Sequence, residues 1–163
     1  MSAPFRIRPA RLPEDKPAIV DFFIGIQQFE HAIEADRRID PAVGEDSYAA
    51  MIERVAAKNG CILIAETSSG EAIGWAVGLE DENEIYVVAD ERTYGYIAEL
   101  FVVEAMRGLG VGRALIAACE DWARGRGLKV MMIGVLTRNT SAHAVYRGAG
   151  YDDTVTLLRK YLR

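Results

Sequence analysis

A strand-like run that passes through a glycine-rich turn into an amphipathic helix constrains this chain more than any other feature. Leu100, Phe101, Val102 and Val103 follow Glu99, residues 107–112 read RGLGVG, and Val111, Leu115, Ala118, Cys119 and Trp122 recur at helical spacing. The first N–H groups of a helix lack intrahelical partners and the macrodipole adds positive charge, so such a turn is suited to an anion. Gly108, Gly110 and Gly112 remove side chains that would hold a ligand off these amides. Arg107 and Arg113 flank the turn with forked cationic donors.

Elimination narrows the anion. A Walker A loop ends in Gly-Lys-Ser or Gly-Lys-Thr, whereas Arg113-Ala114 follows the last glycine here, which excludes an ordinary P-loop nucleotide site. A dinucleotide fingerprint spaces its glycines G-x-G-x-x-G, with an acid about 20 residues on. These glycines are spaced otherwise, and the next strand candidate ends in Leu136-Thr137-Arg138 with no acid, which argues against a Rossmann site.

From Leu100 to Gly112 the chain reads L-x-V-x-x-x-x-R-G-x-G-x-G, which resembles the acyl-CoA motif of the GNAT superfamily of N-acetyltransferases. Asn139 to Tyr151 reads N-x-x-A-x-x-x-Y-x-x-x-G-Y and resembles the superfamily's second signature, one helix and one strand downstream. Residues 5–10, followed by an acidic helix-forming segment, resemble its usual opening. The resemblance implies an α/β fold, with a mixed, mostly antiparallel twisted sheet flanked by helices. It further implies that the strands at 94–103 and 130–137 run parallel and splay apart to hold acyl-CoA.

The same resemblance implies acetyl-CoA as acyl-donor cosubstrate and direct transfer to an amine, with no metal and no covalent enzyme intermediate. In the family an exposed strand edge pairs with the pantetheine; the matching positions are Phe101 and Val103, with a backbone N–H near Val102 or Val103 facing the developing oxyanion. The glycine turn, Arg107 through Arg113 with Leu109 and Val111 included, matches the pyrophosphate site. An amine acceptor arrives as an ammonium and must lose a proton, a task for a carboxylate. Glu99 lies where family members often place an acid, and alternation sets it on one strand face with Phe101 and Val103. It is read as base, as acceptor ligand, or as an ion-pair partner in the sheet. Tyr146 matches the tyrosine whose hydroxyl approaches the CoA sulfur, a phenol able to act as general acid. Asn139 either caps the helix that follows or hydrogen-bonds the pantetheine amide, and the two roles are compatible. The rival function is a non-catalytic acyl-CoA-binding sensor.

Composition fits one soluble domain over residues 1–163, with 50% hydrophobic residues and a net charge of −5. No run of 18 apolar residues is present and Met1 to Arg6 lacks a signal-peptide core, so a cytoplasmic location and no membrane partner are expected. Cys61 and Cys119 fall on apolar strand and helix positions, as buried free thiols would. Charge is divided unevenly. Residues 1–106 hold nine Lys or Arg against twenty Asp or Glu, a balance of −11, and residues 107–163 hold ten against four, a balance of +6. A basic C-terminal part suits a phosphorylated cofactor, and an acidic N-terminal part suits a cationic acceptor and opposes nucleic acid. Aminoglycosides, polyamines and peptide amines all qualify as acceptor. Two acidic stretches are candidates for its binding surface, one around Glu30, Glu34, Asp36 and Asp40 and one from Glu80 to Glu91. A homodimer is expected by family habit.

Periodicity sets the remaining elements. Strands are expected at 5–8, 61–66, 72–79, 84–88, 94–103, 130–137 and 154–158, with a hairpin turn at Ser68-Ser69-Gly70. Ile19, Phe22, Phe23, Ile26, Phe29 and Ile33 form the stripe of a long first helix, with Pro13 and Pro17 near its first turn. Pro41 and Gly44 are expected to break the chain, and Tyr48, Met51, Ile52 and Val55 to mark a second helix ending at Asn59-Gly60. A further helix starts at Val111 and closes near Gly125 to Gly127, and a short one covers 139–147.

Overall fold

The computed structural model describes residues 5–162, so the start of the segment from Met1 to Arg6 lies outside it. Five strands form one sheet in chain order: β1 (Phe5–Pro9), β2 (Cys61–Thr67), β3 (Ala72–Glu82), β4 (Thr93–Val102) and β5 (Met131–Ile133). The first four are antiparallel neighbours, while β4 and β5 run parallel. The helices are α1 (Lys16–His31), α2 (Val43–Ala57), the single turn α3 (Ala89–Arg92), α4 (Val111–Gly125) and α5 (Thr140–Gly148).

The sheet buries both faces. Ile19, Phe22 and Phe23 of α1 and Met51 of α2 cover one face around the fully buried Trp75. Phe23 meets Trp75 edge-on at 4.9 Å, and Phe22 lies 5.9 Å from Trp75 and 5.8 Å from Phe101. Val111, Leu115, Ile116 and Cys119 of α4 cover the other face with Leu63, Ala65, Ala76 and Ile97. Such burial contributes about 2 kcal/mol per large side chain, which is why the helical stripes, rather than intrinsic propensity, decide these elements. At the β1 end, Glu66 is buried and takes hydrogen bonds from Arg6 and Arg8. Arg8 also forks onto Asp15 at 2.6 and 2.9 Å, tying the start of α1 to the edge of the sheet.

Several expectations change. Gly44 does not break the chain; it lies inside α2, where an added Cβ would stand 2.8 Å from the Val20 carbonyl of α1, so it permits close helix packing. Phe29 leaves the core stripe to stack with Arg107, and Ile33 falls beyond the helix end. Residues 84–88 form a loop, not a strand: Asn83 N–H bonds back to Arg92 C=O at 2.8 Å, and the Arg92 guanidinium takes the carbonyls of Ile85 and Val87. Only three residues of the expected 130–137 strand join the ladder, because β5 leaves β4 after Ile133. Residues 154–158 form no strand and pair with none among the described residues.

Candidate active site

The site opens where the parallel pair separates. β4 is bonded to β5 only from Gly95 to Ile97, and beyond that its outer edge has no strand beside it among the described residues. At the same place β4 holds an extra residue, since Ile97 opposes Gly78 and Glu99 opposes Val77, with Ala98 unmatched. A bulge of this kind sets two consecutive side chains on one face. Ile97 faces α4, whereas Ala98 and Phe101 pack under α1 and α2. Glu99 shares that second face, with Arg54 of α2 and Glu30 of α1 as its charged neighbours.

Backbone alternation then decides which groups meet the opening. Val103 N–H donates to Ile73 C=O at 3.0 Å, which turns the backbone of Phe101 and Val103 toward β3 and that of Leu100 and Val102 toward the open edge. Of the two N–H groups considered for an oxyanion, that of Val103 is therefore engaged inside the sheet and that of Val102 is the one facing outward. The outward Val102 carbonyl accepts from Arg107 Nε at 3.0 Å.

Glu99 is half-buried, and its carboxyl makes no hydrogen bond or ion pair among the described residues. Burial pushes its pKa up to about 7; Arg54 opposes that rise and Glu30 reinforces it. Tyr146, half-buried on α5, has its phenol pushed up to about 12 by burial, with Glu30 and Tyr96 acting in the same direction. Glu30 is thus the common neighbour of the two candidate catalytic groups, and Arg37 holds it at 2.7 Å. The sequence marks Glu30 only as acceptor surface. Arg54 had not been singled out, although it lies one helical turn after the core residue Met51.

Between β4 and the glycines, Glu104–Met106 forms a short 3-10 turn that the sequence pattern did not disclose. Gly108 and Gly110 have φ of 76° and 86°, a region that favours glycine, and a Cβ at either would meet open space. The first bond of α4 runs from Ala114 N–H to Gly110 C=O at 3.0 Å, and among the described residues no protein group accepts from the N–H groups of Gly108 to Arg113. Six consecutive donors around an uncovered helix start fit a pyrophosphate. Leu109 is exposed and Val111 is buried in the core, so these two offer backbone alone. Arg107 is turned toward α1, its guanidinium 5.1 Å from the Phe29 ring and 5.5 Å from the Phe101 ring, beside a cleft of about 710 Å³. Arg113 extends to Gly148 at the end of α5. Asn139 Oδ1 caps α5, accepting from Ala142 N–H at 3.2 Å and from the Ser141 hydroxyl at 3.1 Å, which leaves its amide NH₂ to donate elsewhere.

The acidic stretches are largely compensated. Glu34 pairs with Arg138 at 2.6 Å and Arg159 at 2.7 Å, and those guanidinium groups hold its carboxyl below the usual range. Asp36 pairs with Arg37 and Arg159, and Asp40 with Arg38. On the second stretch, Glu80 pairs with Arg126, Asp81 with Lys58 and Asp90 with Lys129, while Glu82, Glu84 and Glu91 have no ion-pair partner among the described residues.

Residues 26–151 match the family model described as the acetyltransferase (GNAT) family. The chain is 30% identical over 112 residues to an aminoglycoside N(6')-acetyltransferase type 1 of Stenotrophomonas maltophilia, covering 68% of this chain and 71% of that one. Among solved structures, a tetramutant of the BH1408 protein of Bacillus halodurans superposes with a TM-score of 0.82 at 18% identity, covering 96% of this chain and 99% of that one. AAC(6')-Iy in complex with the bisubstrate analogue CoA-S-monomethyl-acetylneamine superposes with a TM-score of 0.69 at 20% identity, over 98% of each chain. With the splayed parallel pair, the free amides of the glycine turn and the match across most of its length, the chain belongs to the GNAT family of acetyltransferases.

Proposed function

We propose that this N-acetyltransferase moves the acetyl group of acetyl-CoA to a primary amine of a small polycationic acceptor of the aminoglycoside kind. The observation that carries the reading is the open edge of β4 beyond Ile97, beside the free amides of the glycine turn and with the enclosed carboxyl of Glu99 on the same strand. The acceptor class is supported by the aminoglycoside N(6')-acetyltransferase names of the relatives.

Each residue then has a distinct duty. The N–H groups of Gly108 to Arg113 bind the pyrophosphate, and the outward backbone of Leu100 and Val102 aligns the pantetheine as an added strand would. Acetyl-CoA supplies an activated acyl group in its thioester. Glu99 takes the proton of the acceptor ammonium, for which a pKa of about 7 is suited at neutral pH. The Val102 N–H donates to the acyl oxygen as negative charge develops there. As the C–N bond forms and the C–S bond breaks, the Tyr146 hydroxyl, held protonated at neutral pH by its raised pKa, gives its proton to the departing sulfur, and the second proton shed by the acylated nitrogen restores the phenol. Glu30 offers a carboxylate to a second ammonium of the acceptor.

The test is release of free thiol from acetyl-CoA against a panel of aminoglycosides, polyamines, lysine peptides and peptide N-termini. Turnover led by an aminoglycoside supports the reading. Turnover confined to peptide N-termini overturns the acceptor class, and no turnover with any amine overturns the catalytic assignment of Glu99 and Tyr146.

A further inference from the structure

Two thiols that take no part in the proposed transfer face each other between the sheet and α4. Cys61 opens β2 and is half-buried, whereas Cys119 lies in the middle of α4 and is fully buried. Both belong to the apolar layer under that helix, and both are free. Their side chains are hydrogen-bonded to each other. A bond between the sulfurs would join the first residue of β2 to the helix whose start carries the free amides.

The surroundings give the two sulfurs unequal character. Cys61 opposes Gly78 in the sheet, and the Gly78 N–H donates to its sulfur. An added Cβ at Gly78 would stand 3.0 Å from Cys61 Sγ and 3.1 Å from the Trp122 ring, so the glycine keeps room for the sulfur beside that indole. Arg126, bonded to Glu80, holds its guanidinium 5.8 Å from the Trp122 ring and adds positive charge near Cys61. The Cys119 thiol, the Gly78 N–H and the Arg126 guanidinium together hold the Cys61 thiol below the usual range, against the opposing effect of burial. The shared hydrogen bond and burial push Cys119 up, so Cys119 keeps its proton and Cys61 is the better nucleophile. Among the described residues no third His, Cys, Asp or Glu joins them in a group that could hold a metal ion.

We propose that Cys61 and Cys119 form a hydroperoxide-reactive dithiol, Cys61 attacking and Cys119 resolving, which closes reversibly to a disulfide joining β2 to α4. The Cys61 thiolate attacks one peroxide oxygen and the O–O bond breaks. The departing hydroxide takes up the proton that Cys61 had shed and leaves as water, and Cys61 becomes a sulfenic acid. The Cys119 sulfur then attacks the Cys61 sulfur; the S–S bond forms, the S–O bond breaks, and the hydroxyl leaves as water with the Cys119 proton. Two electrons pass from the sulfurs to the peroxide, so two thiols and one hydrogen peroxide become one disulfide and two waters. The reaction involves neither acetyl-CoA nor the acceptor, and it holds or fails independently of the roles of Glu99 and Tyr146.

The test is titration of the full chain with hydrogen peroxide, followed by free-thiol assay, intact mass and peptide mapping without reductant. The wild-type chain should lose both thiols and two hydrogen masses, with Cys61 linked to Cys119 in the same chain, and dithiothreitol should restore it. Thiol loss should run at least about fivefold faster than that of glutathione at neutral pH. With one equivalent of peroxide, Cys119→Ser should stop at a Cys61 sulfenic acid that dimedone traps, and Cys61→Ser should slow oxidation of Cys119 at least about tenfold. Circular dichroism establishes that each variant is folded, and the wild-type mapping needs no variant. Wild-type thiols that survive while glutathione is consumed overturn the proposal. So does a cross-link between two chains, or a Cys119 that is oxidised as fast in Cys61→Ser as in wild type.

Discussion

Glu99 takes its proton affinity from enclosure rather than from a partner, and that has two measurable effects. If it is the base, kcat/KM rises as pH increases through about 7, where the carboxyl ionises; Glu99→Gln removes that limb and lowers the rate about 100-fold at mildly alkaline pH. The sign for stability is the opposite. Its folded pKa lies above the ordinary 4.5, so the native state binds more protons between these values and loses stability as pH rises across them. Glu99→Gln should therefore be the more stable protein above pH 7, by ~1 kcal/mol after allowance for the partial opening to solvent, and should equal wild type in acid. Urea titrations at two pH values measure this. Tyr146→Phe should reduce kcat about 10- to 100-fold and leave the Kd for acetyl-CoA unchanged, as calorimetry with the full chain would show. Both residues were legible as candidates, because each sits at a fixed place in a patterned stretch. Arg54 and the Glu30 contact were not, since a charged residue on an amphipathic helix looks the same whether it meets solvent or a cleft.

The glycine turn is the element whose chemistry can be read most directly from sequence, because its demand is conformational. Gly110 has φ of 86° and caps α4, so Gly110→Ala strains the turn by about 1 kcal/mol and places a methyl among the free amides. Acetyl-CoA affinity should fall at least tenfold while the acceptor KM changes little, which initial-rate kinetics with each substrate varied would separate. The helices α1 and α4 were also legible, their apolar stripes having one way to be buried. Residues 84–88 and 154–158 carry equally β-prone side chains, yet neither pairs with a strand among the described residues. Strand formation needs a partner edge as well as propensity, and the edge is a property of topology that no local window contains. The bulge at Ala98 is hidden for the same reason, since it consists in the register of β3 against β4.

Across the whole molecule, the uneven division of charge turns out to join the two ends of the sequence. Glu34, Asp36, Glu80 and Asp90 from the acidic part are met by Arg138, Arg159, Arg126 and Lys129 from the basic part. These pairs are mostly exposed and add little stability, but they occupy carboxylates that a polycation would otherwise meet. Arg159→Gln should lower the KM for a polycationic acceptor about threefold at low salt, with the difference vanishing at high salt. The bulge in β4 bears on the molecule as a whole in another way. Side chains along a strand alternate, and the bulge interrupts that alternation once, so that Ile97 faces α4 while Ala98 and Glu99 both face α1 and α2. Deleting Ala98 would join Ile97 directly to Glu99 in an unbroken ladder against Gly78 and Val77 and leave the carboxylate of Glu99 on its present face, whereas keeping Ala98 and flattening the bulge would turn that carboxylate into the apolar layer beneath α4. The pairing of Glu99 with Val77, rather than the number of residues before it, therefore separates the half of the fold that does chemistry from the half that holds it up.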